Sequence, residues 1–208
     1  MSAESYVIEE GLVNQPTFQH SFDEDDSVTV PSGEVWWAWV NVGGGQWHNT
    51  ASTNYIIVND SGYIGMSQGN SNRSGWSYGT RTFFVGGDEL VMSSNNDEDQ
   101  AFISGFEVSD FIQNDAISMQ LTDGESTTVP SEEVWSVVLA SGIDKPDGES
   151  SNQYVELVVD DEYVYTAGRN TDERIRGQPV KMYLDGGAQL DFHTNSNTGG
   201  IHIGGYVL

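Results

Sequence analysis

Adjacent carboxylates are the commonest grouping in this chain with chemical potential. They occur at Glu9-Glu10, Asp23-Glu24-Asp25-Asp26, Asp97-Glu98-Asp99, Asp160-Asp161 and Asp172-Glu173. Two carboxyl groups facing across a cleft, about 5–10 Å apart, would suit a hydrolase acting on glycosidic bonds. Grouped with loop carbonyls they would instead hold Ca2+, which takes about six to eight oxygens. No EF-hand spacing is present, so the cation candidates reduce to Asp23, Asp25, Asp97 and Asp99. The chain carries 32 acidic residues against 7 basic ones, so adjacent acids arise by chance. Runs of charge are usually solvated faces, and that reading is preferred here. No cofactor is expected beyond a cation at those aspartates.

The remaining reactive types give less. His20, His48, His193 and His202 show no i, i+4 helical pair of the zinc-protease kind, and there is no cysteine. His193 and His202 fall on successive predicted strands and are placed to meet. His202 stands where the first half of the chain has Phe102, a position expected in the core, so a satisfied buried histidine is the preferred reading. No Gly-x-Ser-x-Gly turn sits between a strand and a helix. Ser104-Gly105, answered by Gly204-Gly205, is expected to be structural. The glycine runs at 43–45 and 199–200 lack the Lys and Thr of a phosphate loop. Catalysis is therefore not expected.

The elements that would position these residues come in two copies. TVPSGEVW at 29–36 recurs as TVPSEEVW at 128–135, GGDEL at 86–90 as GGAQL at 186–190, and FISGFEV at 102–108 as HIGGYVL at 202–208. Each copy has about ninety residues, a size that builds its own core. The expected division is an N-terminal arm at 1–20, a first repeat at 21–108, a connector at 109–119 and a second repeat at 120–208. The connector is short and partly apolar, which predicts two units packed together. Short runs rich in β-branched and aromatic residues, separated by Gly, Pro and Asn-Asp turns, read as strand after strand. Helix signals are thin. The fold class is all-β: two tandem antiparallel β-sandwich, jelly-roll-like domains.

Divergence between the copies marks candidate recognition residues. Trp36 is matched by Trp135, and this pair is expected in the core. Trp37, Trp39, Trp47 and Trp76 have no counterpart, and Tyr78 lies beside Trp76. In a strand Trp37 and Trp39 share a face and Trp36 takes the other. Trp and Tyr are favoured at protein interfaces and also stack on sugar rings; protein contact is preferred. Two segments read as loops, residues 43–49 and 67–78, with 167–176 as the second copy's counterpart of the latter.

Charge bounds the partners. A net charge of −25 with only Lys145 and Lys181 as lysines, in a chain holding six Trp, nine Tyr and eight Phe, is a folded acidic protein. Such a composition suits molar salt, where repulsion is screened within about 3 Å; at low salt it pushes the compact state apart. We expect the fold to hold in about 2–3 M salt and to open on dilution, read by circular dichroism. The lack of a basic patch argues against nucleic acid and against anionic membranes. No signal-peptide pattern and no spanning apolar run are present.

The repeated VPSGEVW segment, followed by a Gly-rich turn and a terminal ISGFEV strand, resembles a pattern in β-sandwich virion structural proteins of tailed viruses. The acidic composition points to viruses infecting halophilic archaea. The resemblance implies a capsid turret, decoration or fibre-type protein, made in the host cytoplasm and assembled in the virion as a symmetric homo-oligomer with other virion proteins. The arm, through Tyr6-Val7-Ile8 and Leu12-Val13, is expected to order against a neighbouring subunit. The alternative is a carbohydrate-binding, receptor-recognising module that takes a cell-surface glycan.

Overall fold

The computed structural model describes residues 15–43, 53–70, 73–76, 78–94, 100–108, 115–143, 153–169, 179–195 and 199–208; for 43, 53–54, 63, 65–70, 73–76, 78, 142–143, 153, 163 and 166–169 it describes the backbone only. All seventeen described elements are strands, and all their pairings are antiparallel. The chain is an all-β protein of two tandem sandwiches.

In the first unit, sheet A orders β1 (Thr17–Phe22), β9 (Gln100–Glu107), β3 (Val35–Gly43) and β7 (Tyr78–Val85). Sheet B orders β2 (Ser27–Thr29), β8 (Glu89–Ser94), β4 (Thr53–Val58), β5 (Gly62–Asn70) and β6 (Arg73–Trp76). The second unit repeats the pattern without a counterpart of β6 among the described residues. Sheet C orders β10 (Ala116–Thr122), β17 (Gly199–Val207), β12 (Trp135–Ile143) and β15 (Val180–Leu184). Sheet D orders β11 (Ser126–Thr128), β16 (Gln189–Thr194), β13 (Gln153–Val159) and β14 (Glu162–Arg169). First strand beside last and second beside next-to-last, in opposite sheets, is jelly-roll order.

The period of two explains the cores. Along β3, Trp36, Ala38, Val40 and Val42 point inward, to meet Phe22, Ile56, Phe84, Leu90, Met92 and Ile103. Trp135, Val137 and Leu139 do the same in β12, against Leu157, Leu190, Phe192, Ile201 and Ile203. Each such side chain fully removed from water contributes roughly 1.5–3 kcal/mol.

The repeated motif is structural, and its chemistry is visible bond by bond. Val30 N–H donates to the Asp88 carbonyl and Gly87 N–H to the Val30 carbonyl, both 2.9 Å; Val129, Ala188 and Gly187 make the same pair at 2.9 Å. Gly87 and Gly187 hold φ of +99° and +90°, a conformation that favours glycine. The indole N–H of Trp36 donates to Glu34 Oε2 at 2.8 Å, and that of Trp135 to Glu133 Oε2 at 2.7 Å. Each glutamate thus satisfies the one polar atom of a buried Trp.

Several of the acids form turns. Asn59-Asp60 and Asp160-Asp161 hold positive φ between 50° and 67°, as a two-residue hairpin turn of the primed type requires. Asn59 Oδ1 accepts from Glu89 N–H at 2.9 Å, and Asp160 Oδ1 from Gln189 N–H at 3.0 Å. Asn and Asp tolerate this left-handed conformation better than other side chains.

Three expectations change. Residues 17–20, assigned to the arm, belong to β1, which pairs with β9 through Thr17↔Phe106 to Phe22↔Ala101, and residues 116–119, assigned to the connector, belong to β10, which pairs with β17 from Ala116↔Tyr206 onward. Removing residues 1–20 would therefore strip a strand from sheet A; residues 1–14, with the apolar contacts expected of the arm, lie outside the described residues. The segment 67–78, read as a loop, continues β5 and turns back as β6, with Gln68↔Trp76 and Asn70↔Arg73 paired. Its polar composition hid it. Phe102 is not in the core. Ala101 and Ile103 point in, so Phe102 points out and is exposed.

The two units pack through unlike surfaces. β7 and the start of β5 lie side by side at one end of the first sandwich, and the outer face of sheet C covers them. Ala140 of β12 joins the first unit's core. Tyr206 of β17 meets Phe83 edge-on, ring centroids 5.7 Å apart. Ala116 and Tyr206 pack on the cluster of Val35, Phe83 and Val108, beside Trp37 and Phe106. No described helix is long and apolar enough to cross a membrane.

Candidate functional site

The outer face of sheet A gathers the chain's unmatched aromatics. Alternation turns Trp37, Trp39 and Asn41 of β3 outward. Register then sets their neighbours: Trp39 lies opposite Arg81 on β7 and Ser104 on β9, and Trp37 opposite Phe83 and Phe106. The Trp37 ring lies 6.4 Å from both Phe83 and Phe106. The Arg81 guanidinium stands 4.6 Å over the Trp39 ring and 5.2 Å over Trp37. Such cation–π contacts are worth about 0.5–1 kcal/mol when exposed, enough to hold the side chains in register. Between them is a shallow hollow of about 100 Å³, lined by Trp37, Trp39, Arg81, Ser104 and Phe106. Trp39 is 43% exposed and Phe102, further along the same face, 38%.

β9 can lie this close to β3 because of Gly105. A Cβ there would sit 2.1 Å from the Trp37 carbonyl oxygen, and one at Gly205 would sit 2.1 Å from that of Ser136. The expected structural role of Ser104-Gly105 has this origin.

Trp37 and Trp39 are thus brought together. Trp47 lies outside the described residues. Trp76 falls on β6 and Tyr78 opens β7, in sheets B and A respectively, with their side chains outside the description. Asp23 and Asp25 lie in the turn after β1. Asp23 N–H donates to Asp26 Oδ2 at 3.0 Å, and Asp23 Oδ1 accepts from Gln100 Nε2 at 2.8 Å. Asp25 holds φ +63° and donates its N–H to the Met92 carbonyl at 3.1 Å. Asp97 and Asp99 lie outside the described residues. Among the described residues no three His, Asp or Glu side chains are grouped to hold a metal ion. His193 and His202 do not meet: β16 and β17 belong to opposite sheets, and each histidine points away from the core between them. His20 stacks on Trp36 with centroids 5.3 Å apart.

His202 belongs to a second constellation, a polar chain between the units that is buried at Asp88, Thr82 and His202 and half-buried at Asn59, Ser118 and Gln120. Buried Asp88 accepts from Asn59 Nδ2 at 2.7 Å, Val85 N–H at 2.8 Å and Ser118 Oγ at 2.6 Å. Asn59 Nδ2 also donates to Gln120 Oε1 at 3.2 Å. Gln120 Nε2 faces His202 Nδ1 at 3.4 Å. His202 Nε2 lies 3.1 Å from Thr82 Oγ1 and 3.3 Å from the Phe83 carbonyl oxygen. The polarity of the chain follows from its ends. Asn59 Oδ1 is committed to Glu89 N–H, so Nδ2 faces Asp88 and Gln120; the Gln120 amide then presents N–H to His202 Nδ1, and Nε2 carries the ring proton. Complete burial lowers the His202 pKa to about 4, partly countered by the Asp88 charge and the bond to Phe83. Sequence reasoning missed Asp88, Asn59, Gln120 and Thr82. One signal was available: Asp88 is replaced by Ala188 directly after the matched Gly-Gly pair.

Among the described residues no carboxylate or nucleophile–base pair lies on the aromatic face; what it offers is apolar contact, one guanidinium and the polar side chains of Asn41 and Ser104. No protein-family profile matches the chain, and no curated protein matches it. The solved structures matched by this chain include three at very low identity. A tandem CBM22-1–CBM22-2 domain of Paenibacillus barcinonensis Xyn10C is 10% identical, with 92% of this chain and 86% of that one covered, at a TM-score of 0.25. PNGF-II is 8% identical, with 100% and 67% covered, at 0.33. The M60 catalytic domain with CBM51-1 and CBM51-2 of Clostridium perfringens ZmpB is 8% identical, with 93% and 34% covered, at 0.24. Likeness at this level carries no functional argument.

Proposed function

We propose that this protein is a non-enzymatic structural component of a larger particle, and that the outer face of sheet A is a docking surface for protein. One observation carries the reading. The same face of the second unit, the outer side of sheet C, is already used to pack on protein: Ala140, His202 and Tyr206 are pressed against the first unit. The corresponding face of the first unit presents Trp39 and Phe102 to water. Aromatic and Arg side chains together are enriched at the centres of protein interfaces. That the particle is a virion, with this chain as turret, decoration or fibre-type protein, rests on the repeated sequence motif and the halophilic composition.

The test is the reactivity of Trp39. In the intact particle its oxidation by hydroxyl radicals, read by peptide mass spectrometry, should be much slower than in the isolated chain at equal salt. Equal rates in the two states would exclude this face as a docking surface.

A second reading, carbohydrate binding, is favoured by the hollow itself, where the half-exposed Trp39 indole borders Ser104 and Arg81. It ranks second because Arg81 already covers one face of each indole, the surface a sugar ring needs. It predicts that Trp39→Ala abolishes retention on a glycan column; the docking reading predicts no retention by either protein.

A further inference from the structure

Resting on the docking reading, we propose that the partner of the sheet A face is a second copy of this chain, bound head to tail: the outer face of sheet A in one copy seats on the β14–β15 edge of the next. The chain already contains one junction of this type. Within it, the outer face of the second unit covers the β5–β7 edge of the first. By the repeat, that face corresponds to sheet A, and that edge to β14–β15. A tandem of two units completes one such junction and leaves half of another at each end.

The exposed apolar side chains fall where this requires. Among the described residues five large ones are exposed: Trp39, Phe102, Tyr154, Tyr183 and Leu208. Two of them occupy positions equivalent to the internal junction: Phe102 corresponds to His202 on the covering face, and Tyr183 to Phe83, which receives Tyr206 at the covered edge. Trp39 corresponds to Val138, on the same outer face as His202. Tyr183 is 50% exposed and lies under Lys181, 5.3 Å away. Bulk is added on both sides relative to the internal junction: Ser104 for Gly204, Trp37 for Ser136, Met182 for Thr82. The two backbones therefore meet at a wider spacing filled by aromatic rings. Because the joined surfaces differ, the contact is heterologous and generates a closed ring or an open filament.

Mixing two variants tests this. Trp39→Glu blocks the face and Tyr183→Glu blocks the edge; both side chains are exposed, and thermal melts check that both variants stay folded. Mass is read by light scattering in about 2 M salt, where the charge is screened. The wild type should exceed a dimer and each variant should be a 22.8 kDa monomer. An equimolar mixture should form a dimer and nothing larger, since one intact face then meets one intact edge. If Tyr183→Glu alone still associates while Trp39→Glu does not, face meets face; the head-to-tail arrangement falls and the docking reading survives. A monomeric wild type, or two variants that assemble like it, overturns the arrangement, and Trp39 oxidation in the particle then decides the docking reading separately.

Discussion

Replacing Gly204 by valine should cost about 3 kcal/mol or more and split a single unfolding transition into two. Gly204 lies on β17 where sheet C presses on the first unit. A Cβ there would stand 2.0 Å from Thr82 Oγ1, 2.8 Å from His202 Nε2 and 2.9 Å from the backbone nitrogen of Phe83. Thr82 is fully buried and bonded to His202, and the Phe83 backbone is held in sheet A by pairing with Trp37. Nothing near the new atoms yields easily, so the units must separate. Overpacking costs typically about 1–3 kcal/mol, and losing the His202–Thr82 bond adds about 1 kcal/mol. The counterpart Ser104→Val, on the uncovered face, should change stability by less than about 0.5 kcal/mol. Denaturant unfolding followed by Trp fluorescence reads both. If Gly204→Val and Ser104→Val behave alike, the units do not pack as described.

Acid should weaken the same junction through His202. The folded protein holds this imidazole neutral, with a pKa near 4 instead of 6.5. Burial is the main cause, since it penalises the charged form. The unfolded chain binds a proton near pH 6.5 and the folded one does not, so the contribution is fully present above about pH 6.5. It is lost as pH falls, by roughly 2 kcal/mol at pH 5 and 3 kcal/mol at pH 4, and the loss levels off within about one pH unit below the folded pKa. Geometry gives the same sign: a proton on Nδ1 would face the N–H of Gln120 Nε2, donor against donor. His202→Phe keeps a ring beside Phe84, which lies 5.4 Å from the imidazole, and removes the titration. The wild-type-minus-variant difference in unfolding free energy should therefore rise between pH 5 and pH 7. A flat difference would place His202 in water.

The jelly-roll order was within reach of the sequence because each local signal agreed with the others. Valines and aromatics alternate along β3 and β12, and left-handed turn residues close the hairpins. The repetition marked which positions were scaffold. Trp36 and Trp135 were assignable to the core by matching, and Trp37 and Trp39 to one outward face by the period of two.

What failed were judgements about what lies against a face. Phe102 and His202 are equivalent in the repeat, yet one is exposed and the other wholly buried. No local property separates them, because both point away from their own core. Their difference arises only when the second unit settles on the edge of the first.

The sequence by itself determined that this is an acidic, all-β tandem with a structural motif used twice and aromatics unmatched in the first copy. Pattern and turn chemistry act over a few residues, so they can be read in one dimension. Tertiary structure alone decided that Arg81 lies over Trp39 and that Asp88, Asn59, Gln120 and His202 form one polar chain. It also decided that His202 on one sheet face is covered while Trp39 and Phe102 on its twin stay exposed. Those outcomes depend on residues far apart in the chain meeting across a junction, where burial, and not residue type, sets the chemistry.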